Sequence, residues 1–199
     1  HLSPAKINLG LQVLDKRMDG HHNIHSIFVE LDFGDEMSFT PSTEFELASE
    51  GYKVPCDSTN LISKVYQRLK KSASSNIDDF KIHLNKKIPI GSGLGGGSSN
   101  AALTLKFLNK VWNLGLSFKE LEKIGAEFGA DIPFFIHGGV QLAEGIGDLL
   151  DPIDSTFLKN RIIVLVQTSF LFNPFIISFC TTYILWIYSC SLISKNSSK

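Results

Sequence analysis

Pro89-Ile-Gly-Ser-Gly-Leu-Gly-Gly-Gly-Ser-Ser-Asn-Ala-Ala102 places five glycines ahead of two hydroxyls and a helix-forming run. Residues without a Cβ let the backbone come close to a ligand, so successive N–H groups can converge on the oxygens of an anion. Ser98 and Ser99 are expected to start a helix whose unpaired N–H groups and positive dipole end add to that attraction. The flanks decide which phosphate loop this is. A Walker loop ends in Gly-Lys-Ser/Thr, whereas Gly97 runs straight into Ser98. Gly91, Gly93 and Gly96 satisfy G-x-G-x-x-G, but a dinucleotide fold needs an acidic residue about 20 positions on. That place falls among Leu114, Gly115 and Leu116. The His-Arg-Asp and Asp-Phe-Gly signatures of protein kinases do not occur. A glycine-rich turn without a ligand is the plain alternative, and the helix directly behind it weighs against that.

Working outward, Ala101, Ala102, Leu105, Leu108 and Trp112 recur at helical spacing until Gly115 stops the run. Ser117-Phe-Lys-Glu120 is a capping box, and Leu121, Ile124 and Phe128 give the next helix its apolar stripe before Gly129. Towards the start, Ile7, Leu9, Leu11 and Val13 alternate with Asn8, Gly10 and Gln12, the period of a half-buried strand. Asp19-Gly20 marks a turn, residues 24–33 a second strand, Gly34-Asp35 another turn and residues 36–40 a third strand. The expectation is an antiparallel meander. Leu61, Ile62, Val65 and Leu69 then line one face of a helix behind a Ser58/Thr59 start signal, and residues 80–84 return to strand. Strands followed by helices and then strands predict an α+β layer arrangement in place of alternating βαβ units.

Composition sets bounds on partners. The 199 residues suffice for one domain, or a domain plus part of another. A formal net charge of -1 gives no electrostatic reason to expect nucleic acid, and Lys86-Lys87 reads as a solvated strand end or a nucleotide-edge contact. Cys56, Cys180 and Cys190 lack metal spacing and are odd in number, which favours a reducing compartment. His21, His22 and His25 have no Cys or carboxylate set arranged to complete a zinc site, so no metal centre is expected.

The glycine stretch, together with Ser3-Pro-Ala-Lys-Ile-Asn-Leu9, Asp19-Gly-His-His22, Asn60-Leu-Ile62, Gly129-Ala-Asp-Ile-Pro-Phe-Phe135 and Ala143-Glu-Gly-Ile-Gly147, resembles the GHMP small-molecule kinases in this order. The likeness covers roughly residues 2–166. It implies an α+β GHMP kinase N-terminal domain of the ribosomal protein S5 domain 2-like type, with the C-terminal domain largely absent. It also implies ATP as co-substrate with Mg2+ accompanying it, held by Pro89, Ile90, Gly91, Ser92, Gly93, Leu94, Gly95, Gly96, Gly97, Ser98 and Ser99. Ser98 or Ser99 would be the hydroxyl nearest the metal.

Within the family, the Asp-Gly-His-His and Gly-Ala-Asp-Ile-Pro-Phe segments point to a cytidyl diphosphate sugar alcohol as substrate. The reaction implied is phosphorylation of the 2-hydroxyl of 4-diphosphocytidyl-2-C-methyl-D-erythritol in non-mevalonate isoprenoid precursor synthesis. Lys6 and Asp131 match the family's catalytic pair: Asp131 as general base, Lys6 neutralising charge on the transferring group. Strand alternation puts Asn8 on the face of Lys6. Asn8, His22 and Phe28 are the expected substrate contacts, with His22 at the cytosine, and His21 stands where the family carries a tyrosine. Phe28 could equally be an ordinary core residue.

Residues 162–194 contain no charged side chain, and the likeness fades after about residue 170. The expected organisation is an ATP-binding domain over 1–166 and a divergent apolar tail over 167–199, the mark of a truncated or frameshifted chain. A rival reading is a nucleotide-binding remnant without turnover, membrane-associated through residues 170–193. The leading expectation is a cytoplasmic enzyme, or a plastid one if a targeting segment has been removed, with no nucleic-acid or membrane partner and an assembly state that the sequence leaves open.

Overall fold

The computed structural model describes residues 1–73 and 77–158, and the backbone of two strands, 161–167 and 183–189. β1 (Leu2–Lys16) and β2 (His22–Ser42) form a long antiparallel ribbon, with Lys6 opposite Glu30 and Asn8 opposite Phe28. Its tip turns at the expected Asp19-Gly20, where the Gly20 N–H donates to the Arg17 carbonyl at 3.2 Å.

Two expectations for this ribbon are corrected. The register slips between Leu9 and Leu11, with Gly10 at φ +64° as the extra residue of a β-bulge. A bulge reverses the side-chain alternation beyond it. Leu11 and Val13 therefore leave the face of Ile7 and Leu9, and both are exposed. Nor is there a turn at Gly34-Asp35, because β2 runs straight through it. A Cβ on Gly34 would lie 2.1 Å from the Ser3 carbonyl oxygen, so this glycine permits close approach of β1. The meander is thus one ribbon with an unusually long second strand.

β3 (Glu46–Gly51) and β4 (Asp79–Lys86) pair in parallel, joined by α1 (Leu61–Lys70). One βαβ unit is therefore present where none was expected. The Asn60 side chain, not Ser58 or Thr59, caps α1 by accepting the Ile62 N–H at 2.9 Å. β4 pairs with the distal part of β2, and β5 (Val140–Glu144) with its proximal part. β6 (Leu149–Pro152) follows β5, giving a sheet of order β3-β4-β2-β5-β6 with β1 on β2. α2 (Gly96–Val111), α3 (Phe118–Ala126) and α4 (Ile132–His137) follow in chain order between β4 and β5. Ser117 and Glu120 form the predicted capping box of α3.

The core joins Phe28, Met37, Ile82 and Leu84 of the sheet to Val65, Leu69, Leu105, Leu108 and Phe134 of the helices. The first compact unit is His1–Ile153; Asp154–Lys199 forms a second, in which Thr156–Leu158 makes one 3-10 turn and β7 (Arg161–Gln167) pairs with β8 (Tyr183–Ser189). The remainder of the predicted apolar tail lies outside the described residues. Among the described residues no helix is long and apolar enough to cross a membrane.

Candidate active site

The glycine loop connects β4 to α2. Gly91, Gly93 and Gly95 hold φ of +70°, +75° and +72°, alternating with Ser92 and Leu94, and left-handed residues at alternate positions allow successive N–H groups to converge on an anion. Gly95 is the N-cap, so α2 starts at Gly96, earlier than the expected Ser98. The Gly95 carbonyl already accepts the Ser99 N–H at 2.9 Å, which commits Gly96 and Gly97 to the first turn. The N–H groups of Gly96, Gly97 and Ser98 have no carbonyl partner in their own helix.

The loop's side chains divide inward and outward. Ile90 is exposed and Pro89 half-buried, whereas Ser92 and Leu94 are buried. The Ser92 hydroxyl accepts the Leu94 N–H at 3.4 Å. Of the two serines expected at the phosphates, Ser98 is half-buried. Ser99 is buried, with its hydroxyl 2.8 Å from that of Ser3. Ser99 thereby fastens α2 to β1.

That fastening brings Lys6 to the loop. The Lys6 backbone N–H donates to the Leu94 carbonyl at 2.9 Å. Gly95 packs so closely that a Cβ there would lie 2.8 Å from the Phe135 ring and 3.1 Å from Lys6 Cγ. The Lys6 side chain is buried, donates from Nζ to Asn8 Oδ1 at 2.8 Å, and stands 4.0 Å above the centre of the Phe28 ring. Its Nζ is 3.6 Å from Asp131 Oδ2.

Asp131 was expected in a loop, but it occupies the N-cap position of α4, because Pro133 favours the first turn of a helix. Its carboxylate makes no capping bond to α4 and its side chain remains 35 % exposed, so it is both anchored and accessible. Phe134 and Phe135, buried in the core, hold the short helix in place.

Phe28 is a core residue, edge-on to Phe134 at 5.5 Å, and one face of its ring carries the Lys6 ammonium. A Cβ on Gly147 would touch Phe28 and Ile24 at 3.3 and 3.4 Å, so this glycine packs against both side chains. His22 is not in this cluster. It is exposed at the start of β2 opposite Lys16, six residues from Phe28 and on the same face by alternation. That separation is about 20 Å along an extended strand. His21 and His25 face different carboxylates, Asp19 at 3.4 Å and Glu144 at 3.7 Å.

One group of residues escaped the sequence reading. Lys86 is no solvated strand end: it is buried and ion-paired with the fully buried Asp35, while Lys87 reaches out to Glu36 at 2.5 Å. The bond from Lys87 and the opposite charge beside it hold the exposed Glu36 carboxyl below its ordinary value. Asn100, buried in α2, completes the group.

The buried lysine, the aspartate beside it and the glycine loop leading into α2 are residues on which the resemblance to the GHMP small-molecule kinases rests. The model of the GHMP kinases N terminal domain matches residues 60–139, which contain both the loop and Asp131. Over those residues the chain carries a GHMP kinase N-terminal domain. It is 41% identical over 162 residues to 4-diphosphocytidyl-2-C-methyl-D-erythritol kinase of Hahella chejuensis, covering 77% of this chain and 54% of the relative. The enzyme of the same name from Azobacteroides pseudotrichonymphae is 43% identical over 166 residues, or 83% and 61% of the two chains. A crystal structure of 4-(cytidine 5'-diphospho)-2C-methyl-D-erythritol kinase superposes with a TM-score of 0.66 at 35% identity, covering 77% of this chain and 54% of that one. The chain thus spans between half and two thirds of the length of these relatives.

Proposed function

We propose that the chain provides the ATP site and the catalytic pair of a kinase that phosphorylates the 2-hydroxyl of 4-diphosphocytidyl-2-C-methyl-D-erythritol. The observation that carries this is the meeting of Lys6 and Asp131 at 3.6 Å, beside the glycine loop to which Lys6 is bonded through its own backbone. The loop's N–H groups and the start of α2 hold the phosphates of ATP. The substrate hydroxyl lies against Asp131; its oxygen attacks the terminal phosphorus, the bond to the ADP oxygen breaks, and the proton passes to the carboxylate. Lys6 neutralises charge on the transferring group from a fixed, water-poor position. Asn8 keeps the ammonium aimed, and Phe28 covers it. Magnesium accompanying ATP would supply charge neutralisation at the phosphates, and the Ser98 hydroxyl is the side chain that would approach it. The cytidyl end of the substrate extends along β2 towards His22.

The test is ADP release by the purified chain with ATP, in the presence and absence of the cytidyl diphosphate substrate. Release stimulated by that substrate is expected, and Asp131→Asn should abolish it while leaving ATP binding largely intact. ATP binding with no substrate-stimulated release would overturn the catalytic reading.

A further inference from the structure

Beneath the glycine loop lies a buried polar network that none of the proposed steps uses. Asp35 accepts the backbone N–H groups of Lys87 and Ile88, each at 2.8 Å, where the chain leaves β4 for the loop. Its other oxygen takes the Lys86 ammonium and the Asn100 side-chain amide, the latter at 2.9 Å, where the chain has entered α2. The same amide nitrogen donates to the Ser3 hydroxyl at 2.9 Å, and Ser3 meets Ser99 at 2.8 Å. Ser3 lies three residues before Lys6 on β1. Lys86 Nζ sits so close under the loop that a Cβ on Gly96 would lie 2.6 Å from it.

A buried ion pair stabilises a fold no better than well-packed apolar side chains of the same volume. Its directional bonds do fix geometry, and here they fix both ends of one loop to a single carboxylate. We propose that Asp35 is a positioning residue for the nucleotide. By tying Lys87 and Ile88 before the loop to Asn100 behind it, Asp35 keeps the N–H groups of residues 91–98 converged on the phosphates. Through Asn100 and Ser3 it also holds them in register with Lys6. This rests on the reading of the loop as an ATP site.

The test is titration of the full 199-residue chain with ATP in the presence of magnesium, well below every melting midpoint. Asp35→Asn removes the charge that gathers the four donors, and Asn100→Ala removes the arm to α2 and β1 while leaving the Asp35–Lys86 pair. Tyr66→Phe is the control, since it weakens the core away from the loop. Both network variants should raise the ATP dissociation constant at least tenfold, and Tyr66→Phe should leave it unchanged. Wild-type affinity in a folded Asp35→Asn and in Asn100→Ala would overturn the proposal, as would an equal loss in Tyr66→Phe. Should Asp35→Asn fail to fold, Asn100→Ala decides. A wild-type chain that binds no ATP would bring down the ATP-site reading itself, an outcome separate from unchanged variants.

Discussion

Lys6 has its stem against Gly95 and its ammonium among Asn8, Phe28 and Asp131, so its packing and its charge can be separated by substitution. Lys6→Met keeps the packing and removes the charge. Turnover should fall about 10²–10³-fold, the usual loss for one preorganised electrostatic group, with ATP affinity held within a few-fold; coupled ADP release and ATP titration measure the two. Undiminished turnover would remove Lys6 from the chemistry. Tyr66 gives a residue-scale prediction for stability. Its buried hydroxyl donates to Asp79 at 2.8 Å and accepts the Phe80 N–H at 2.9 Å, and burial, with Asp79 beside it, drives the phenol well above its ordinary pKa. The folded chain therefore keeps a proton that the unfolded chain releases. This contribution is complete below pH about 10 and is lost as pH rises beyond it. Tyr66→Phe should cost about 1–3 kcal/mol at neutral pH, and its melting midpoint should fall less steeply in alkali than the wild type's. Lys6 and Asp131 were legible because each sits in a short motif. Asp35 was not, since Gly34-Asp35 has the composition of a turn and its partners are 51 to 65 positions away.

At the scale of elements, the proposed ATP site depends on how α2 begins. Gly95 at φ +72° is both left-handed and in contact with Phe135 and Lys6. Gly95→Ala should cost about 1–2 kcal/mol from the backbone alone. It should also push the loop away from Lys6, so that ATP affinity falls more than the loss of stability accounts for; thermal melting and ATP titration of one preparation compare the two. α4 poses the same problem at Asp131, because six residues cannot form a stable helix unaided. Lys106 on α2 helps by donating to the Phe135 carbonyl at 2.8 Å, although burial lowers its pKa and so disfavours its charged form. The helices were legible from their 3.6-residue stripes and from the Ser117 capping box. The strands were less so, because one bulge at Gly10 reverses which residues face the core and alternation alone does not reveal it.

At the scale of the molecule, every group invoked for ATP and for phosphoryl transfer lies within the compact unit His1–Ile153, and so does the apolar core that supports them. The α+β class was readable from the order of apolar patterns, but the sheet order was not, because β3 lacks a strong pattern and β2 serves three neighbours along one continuous strand. Since the core of the first unit is continuous from β2 to β5, its folding should not require the later residues. A chain ending at Leu158 is expected to unfold in one cooperative step and to bind ATP within about twofold of the 199-residue chain, an energy difference below 1 kcal/mol. Urea unfolding followed by tryptophan emission and far-ultraviolet dichroism measures the first, and ATP titration the second. Trp112, edge-on to Tyr66 at 5.2 Å and donating from its indole N–H to the Asp78 carbonyl at 2.9 Å, reports directly on the packing of α2 against the sheet. Non-coincident transitions, or a large loss of affinity, would mean that residues beyond 158 complete the nucleotide site, and the assignment of that site to the first unit would then fail.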